Sequence, residues 1–186
     1  RERLFLDMKG FLANYPDRKC KVYLLHGDMT DEEVHAIYHH PKIRALVALP
    51  HGEGFGLPIY EAAYSNLPVV ATGWSGHLDF LVDEEGKEQF YNVAYDLQPV
   101  QDAVVWDGVI MKDSMWAYSR ESSAKEQMRQ CYEDITNDVK RFENNLLERF
   151  NDTKMYETFV NAMNLTFDDE EEIEEWLSNL DAEEYE

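Results

Sequence analysis

Two glutamates, Glu53 and Glu61, bracket the run Gly54-Phe55-Gly56-Leu57-Pro58 in the stretch HGEGFGLPIYEAAYSNLPVV (51–70). A carboxylate accepts two hydroxyl hydrogen bonds in a fixed geometry, which suits a sugar or a ribose diol. Glycines bare the backbone to a ligand, and N–H groups at a helix start attract phosphate. Because carboxylates repel phosphate, the amides would take the phosphate and the glutamates the hydroxyls. The ligand this chemistry implies is a sugar joined to a nucleotide diphosphate. A tight turn followed by two solvated glutamates fits the same residues and needs no ligand. The two common phosphate loops do not fit. Leu57 stands where the third glycine of the dinucleotide fingerprint belongs, and no Walker lysine follows.

The remaining polar residues are weaker candidates. His51 and His77 flank two glycine loops, and each suits ligand contact or a structural role. His35 and His39 are spaced i, i+4 beside Glu32, but without an H-E-x-x-H motif they read as solvated or capping residues, so no metal site is expected. Asp79 reads as a helix-start residue. The sequons at Asn151 and Asn164 read as chance matches.

Helices, strands and the loops between them must hold these groups. Apolar residues at helical spacing over 3–14 meet Pro16 and Asp17, a stop signal. CKVYLLHGD (20–28) reads as a strand closed by Gly27. Thr30 to Glu33 form a capping box that opens a helix ending before Pro41. RALVALP (44–50) is continuously apolar, as strands buried on both faces are. The glycine loop and a helix with Pro58 in its first turn follow it. Asn66-Leu67-Pro68 ends that helix, and 68–73 is a third buried strand. YNVAYDL (91–97) reads as one more strand, 99–118 as loop, and 121–164 as helices, including DVKRFENNLLERF (138–150). The aromatic residues of those helices read as core. Alternating strands and helices at this spacing predict an α/β fold, a Rossmann-like parallel sheet with helices on both faces. Residues 1–165 read as one such domain, and 166–186 as an acidic helical extension with Ile173, Trp176, Leu177 and Leu180 on one stripe. That stripe suits folding back on the domain or binding a partner.

Glu53-Gly54-Phe55-Gly56-Leu57-Pro58, Glu61-Ala62 and Pro68-Val69-Val70-Ala71-Thr72 resemble the E-x7-E signature of retaining GT-B glycosyltransferases. The large group 1 family, with its sucrose and glycogen synthase-like and mannosyltransferase-like enzymes, is the narrower match. The strand and turn at 21–27, the helix at 33–38, Trp74-Ser75-Gly76, Trp116-Ala117 and Met128-Arg129 extend the resemblance over roughly 20–135. It implies the C-terminal, donor-binding half of such an enzyme, using a nucleotide-diphosphate sugar as donor and no bound metal or other cofactor. Carried over by residue, Glu53 contacts the transferred hexose near the reacting centre and Glu61 the ribose hydroxyls. The amides near Gly54, Phe55, Gly56 and Leu57 hold sugar and diphosphate, and Gly27 to Met29 edge the base. The family pairs this half with an N-terminal acceptor domain and with Arg and Lys that neutralise the diphosphate. Neither is found here, so the isolated chain is expected to be inactive. A non-catalytic nucleotide- or carbohydrate-binding subunit of the same fold is the alternative. An epimerase of similar architecture fits the E-x7-E spacing less well.

Composition narrows the partners. The 186 residues carry 38 acidic against 17 basic side chains, a formal charge of −21. Nucleic acid and anionic membranes both demand a basic surface, so neither is expected. No apolar run approaches a membrane span, and Asp7 and Lys9 break the first apolar stretch, unlike a signal peptide. Two distant cysteines, Cys20 and Cys131, fit a reducing, cytoplasmic setting.

Overall fold

The computed structural model of the chain describes residues 2–143 and 145–163; the acidic extension read over 166–186 lies outside the described residues. Contacts divide the chain into two units, Arg1–His40 and Pro41–Glu186. In the first, the helical spacing gives α1 (Glu2–Ala13). Arg18 satisfies carbonyls at its end, donating from Nη1 to Leu12 O and Tyr15 O at 3.1 and 3.2 Å. α2 (Asp31–Tyr38) opens on the expected capping box. Thr30 Oγ1 accepts from the Glu33 N–H at 3.3 Å, and Glu33 Oε2 accepts from the Thr30 N–H at 2.9 Å.

The strand expected over 20–28 does not form. That segment joins no ladder, and Tyr23 and Leu25 are 81% and 71% exposed. A strand persists only where its N–H and C=O groups are paired. This unit offers two helices and, among the described residues, no second strand. The apolar run therefore stays outside any ladder. None of the unit's described residues is buried.

The second unit is a mixed α/β structure. β1 (Leu46–Ala48), α3 (Leu57–Tyr64), β2 (Val69–Thr72), α4 (Leu78–Leu81) and β3 (Tyr91–Val93) follow in order. The strands form a parallel sheet, β1-β2-β3, with Leu46 opposite Val69 and Val70 opposite Tyr91. All four residues of β2 are buried. Since successive side chains point to opposite faces, both faces of the sheet are covered there. α3 packs on β1 and β2 with Ile59, Ala62 and Ala63 buried. α5 (Glu121–Thr136) brings Ala124 and Cys131 onto Val70, Tyr91 and Val93. β1 departs from its apolar sequence: it is the edge of the sheet, and Val47 is 46% exposed.

The return from α3 to β2 is set by Asn66, whose φ of 57° is left-handed. Its N–H reaches Ala63 O at 3.0 Å, and that of Leu67 reaches Ala62 O at 2.9 Å. This pairing closes a helix, and Pro68 prevents its continuation.

The stretch read as one strand over 91–97 divides into β3 and the start of a further strand, which pairs with part of the region read as loop to form a second sheet. β4 (Tyr95–Pro99) pairs antiparallel with β5 (Met115–Ser119), Leu97 opposite Ala117. α6 (Leu146–Arg149) and α7 (Asp152–Ala162) complete the described chain. The helix expected over 138–150 shrinks to α6. Asp138, at φ 55°, turns the backbone out of α5, and the following segment is held by side chains. Arg141 grips Asp134 of α5 with Nε, and with Nη2 at 3.1 Å. Tyr91 Oη and Gln130 Nε2 donate to the same carboxylate at 3.0 and 2.9 Å. The Arg141 hydrogen bond, aided by the other donors, holds the Asp134 carboxyl down at about 2. Burial in the same cluster pushes the Cys131 thiol up to about 11. No helix among the described residues is long and apolar enough to cross a membrane.

Candidate functional site

The loop between β1 and α3 begins at Leu49 and ends at Gly56, the N-cap of α3. Gly56 has φ 87° and ψ 55°, a left-handed conformation that side-chain-bearing residues adopt at a cost. Its carbonyl accepts from the N–H groups of Ile59 and Tyr60, both at 2.9 Å, and so starts the helix. A Cβ on Gly56 would meet His77 Cβ at 3.3 Å and Glu53 Cβ at 3.6 Å. Its glycine therefore serves the turn and the packing beneath it, not ligand approach. Gly54 is different: a Cβ there meets nothing within 4 Å. It faces open space.

A second loop, 73–77 after β2, is pressed against the first. The Ser75 hydroxyl accepts from the Glu53 N–H at 2.8 Å and donates to the Glu53 carbonyl. The Gly76 N–H donates to the same carbonyl at 3.1 Å. Ser75 itself sits at φ 91°, a strained conformation that these hydrogen bonds hold. A Cβ on Gly76 would lie 1.9 Å from Gly54 O. The main chain of Glu53 is thus fixed at both its polar groups, while its side chain is half-buried.

The N–H groups of Phe55, Gly56 and Leu57 donate to no acceptor among the described residues. The Phe55 ring folds back on Tyr60 and Phe80, at centroid distances of 5.3 and 5.1 Å, and this anchors the backbone between Glu53 and Gly56. Leu57 and Glu61 lie one helical turn apart on the same face of α3, and both are exposed. The buried face of that helix is Ile59, Ala62 and Ala63.

His77 takes the structural role. It is fully buried, with Nε2 donating to Thr72 O at 2.7 Å, and its Nδ1 has no partner. Asp79 lies in the first turn of α4, as its sequence position predicts. His51 stays exposed but is held closely by β5. Its carbonyl accepts from the Ala117 N–H at 3.0 Å, and its Nδ1 donates to Ala117 O at 2.8 Å. Gly27 and Met29 belong to the first unit, where both are exposed.

Sequence reasoning missed Ser75 as the clamp on Glu53 and missed β5 as a neighbour of the loop. Ser75 lay inside a recognised glycine loop, but nothing local indicates that its hydroxyl reaches a residue 22 positions away. The Thr72 and Ser119 hydroxyls meet at 2.8 Å. This contact, with those of His51, brings the β4–β5 hairpin to the carboxyl ends of β1 and β2. No family model matches the chain, and no curated protein and no solved structure matches it.

Proposed function

We propose that the second unit is the donor-binding part of a retaining glycosyltransferase that takes a hexose from a nucleotide-diphosphate sugar, on a Rossmann-like half of a GT-B fold. The observation that carries this reading is the run of three unpaired amides, Phe55 to Leu57, following a glutamate whose backbone is locked. Unpaired N–H groups at a helix start favour an anion, and a developing diphosphate charge is stabilised by such preorganised donors. Glu53 then serves the sugar near the reacting carbon and Glu61 the ribose diol. The resemblance stated above supplies these roles.

A second reading draws on one feature. From Ala45 to Gly86 the sequence has neither Lys nor Arg, so this stretch offers a departing diphosphate no such cation. That favours a binding subunit of the same fold without catalysis. Transfer restored by adding the acceptor-binding half of a GT-B enzyme separates the two readings, because the isolated chain is expected to be inactive under both.

Titration of UDP, GDP and ADP tests the shared premise. At least one is expected to bind saturably, and Glu61→Ala is expected to weaken it about tenfold, as loss of charge-assisted hydrogen bonds does. Binding unchanged by that substitution removes Glu61 from the ribose; no binding by any of the three ends the proposal. Gly54→Ala provides a complementary arm. Its Cβ meets nothing within 4 Å, so the melting temperature is expected to stay within about 2 °C of wild type. Affinity for the nucleotide is expected to fall several-fold, because the methyl stands where the ligand approaches.

A further inference from the structure

His51 is an exposed loop residue held in one orientation by three sets of contacts. Its ring lies nearly parallel to Trp116, at 4.9 Å and 8°, and tilted against Tyr118 at 4.5 Å. The Ala117 carbonyl at its Nδ1 accepts only, so Nδ1 must carry the proton. Nε2 is left as the working nitrogen, with no partner among the described residues. Two residues further on comes Glu53, whose main chain is clamped by Ser75.

Charge gives this nitrogen a use. No Lys or Arg lies between Ala45 and Gly86, and of the two histidines in that stretch His77 is fully buried against Thr72 O. His51 is the one side chain of the stretch that can both carry positive charge and reach solvent. The Ala117 carbonyl and the Trp116 face hold the ring in place, and a charged ring presents an N–H at Nε2. We infer that His51 donates from Nε2 to a phosphate oxygen of a nucleotide-diphosphate ligand at the 53–57 loop, supplying the cation that the loop otherwise lacks. This rests on the donor-binding reading above and adds to it a specific diphosphate contact.

Of titratable groups, Tyr118 of β5 packs against the His51 ring, and Glu53 follows two positions on in the same loop. Carboxyls and phenols in model peptides titrate outside pH 6–8, whereas imidazole changes charge within it. Nucleotide-diphosphate sugars carry no phosphate that titrates there, so they are the probe. UDP-glucose, GDP-mannose and ADP-glucose are titrated against wild type and His51→Asn at pH 6 and pH 8. Asn places an amide N–H where Nδ1 stood, so the bond to Ala117 O is kept and the Nε2 donor is lost. The best wild-type ligand is expected to bind about tenfold more weakly at pH 8 than at pH 6. His51→Asn is expected to match the weaker value at both pH values, and the parent nucleoside to show no pH dependence. Wild-type affinity and pH profile retained by His51→Asn would show that His51 only braces the hairpin, overturning this inference alone. A flat wild-type profile overturns it without reference to any variant. Failure of all three donors to bind wild type overturns the donor-binding reading, and this inference with it.

Discussion

Gly76→Ala is expected to force apart the two loops that build the candidate site, lowering stability by roughly 3 kcal/mol. The added methyl would stand 1.9 Å from Gly54 O and 2.7 Å from its carbonyl carbon. Both are backbone atoms, so no rotamer change relieves the clash. The loops must separate, and separation breaks the Gly76 N–H bond to Glu53 O and the paired Ser75 bonds. Denaturant unfolding measures the loss, and a midpoint equal to wild type would mean that the loops are not packed as described. The contrast with Gly54→Ala is the informative part. One substitution meets backbone and the other meets nothing within 4 Å, so two glycines of one corner should differ sharply in stability. If nucleotide binding is lost in Gly76→Ala and only weakened in Gly54→Ala, the preorganised corner is what binds.

Asp134→Ala is expected to cost about 3 kcal/mol. The Asp134 side chain is 7% exposed and accepts from Tyr91, Gln130 and Arg141 together. Removing it strands three donors and leaves the Arg141 charge without its partner. Breaking a buried pair from one side costs about 3–5 kcal/mol; Arg141 is 42% exposed, so water recovers part of that. The same carboxylate makes stability depend on acid. Its folded-state value of about 2 lies below the ordinary 3.8. The ionised form is therefore favoured by folding, and the contribution is fully present above the ordinary value. It is lost as pH falls from about 4 through about 2, and it amounts to roughly 2 kcal/mol. Urea midpoints measured from pH 6 to pH 2 should show that loss in wild type and lack it in Asp134→Asn. An equal acid slope in both proteins would assign the effect to other carboxylates.

The helices were legible where their ends were. The capping box at Thr30 and Glu33, Pro58 in the first turn of α3 and the Asn66-Leu67-Pro68 stop all act within one turn of chain, so the residues alone determine them. β2 was legible for a related reason, because Val69 to Thr72 carry enough apolar surface to demand burial on both faces. Strands without that demand were misread. Residues 20–28 have the composition of a strand and, among the described residues, no partner to pair with, while Met115–Ser119 lay almost wholly in a stretch read as loop and found a partner in Tyr95–Pro99. Pairing is a property of two segments, and one segment's composition cannot state it.

The candidate site divides along the same line. By itself the sequence determined that a glycine corner precedes a helix, with one carboxylate before it and one a turn inside, and that no Lys or Arg accompanies it from Ala45 to Gly86. Tertiary structure alone decided that Ser75 locks the Glu53 backbone, that Gly56 spares room for His77 and that β5 fixes the tautomer of His51. Each of these joins residues distant along the chain through a hydrogen bond or a van der Waals contact. Such bonds reach about 3 Å, so only folding, which brings the partners together, can create them.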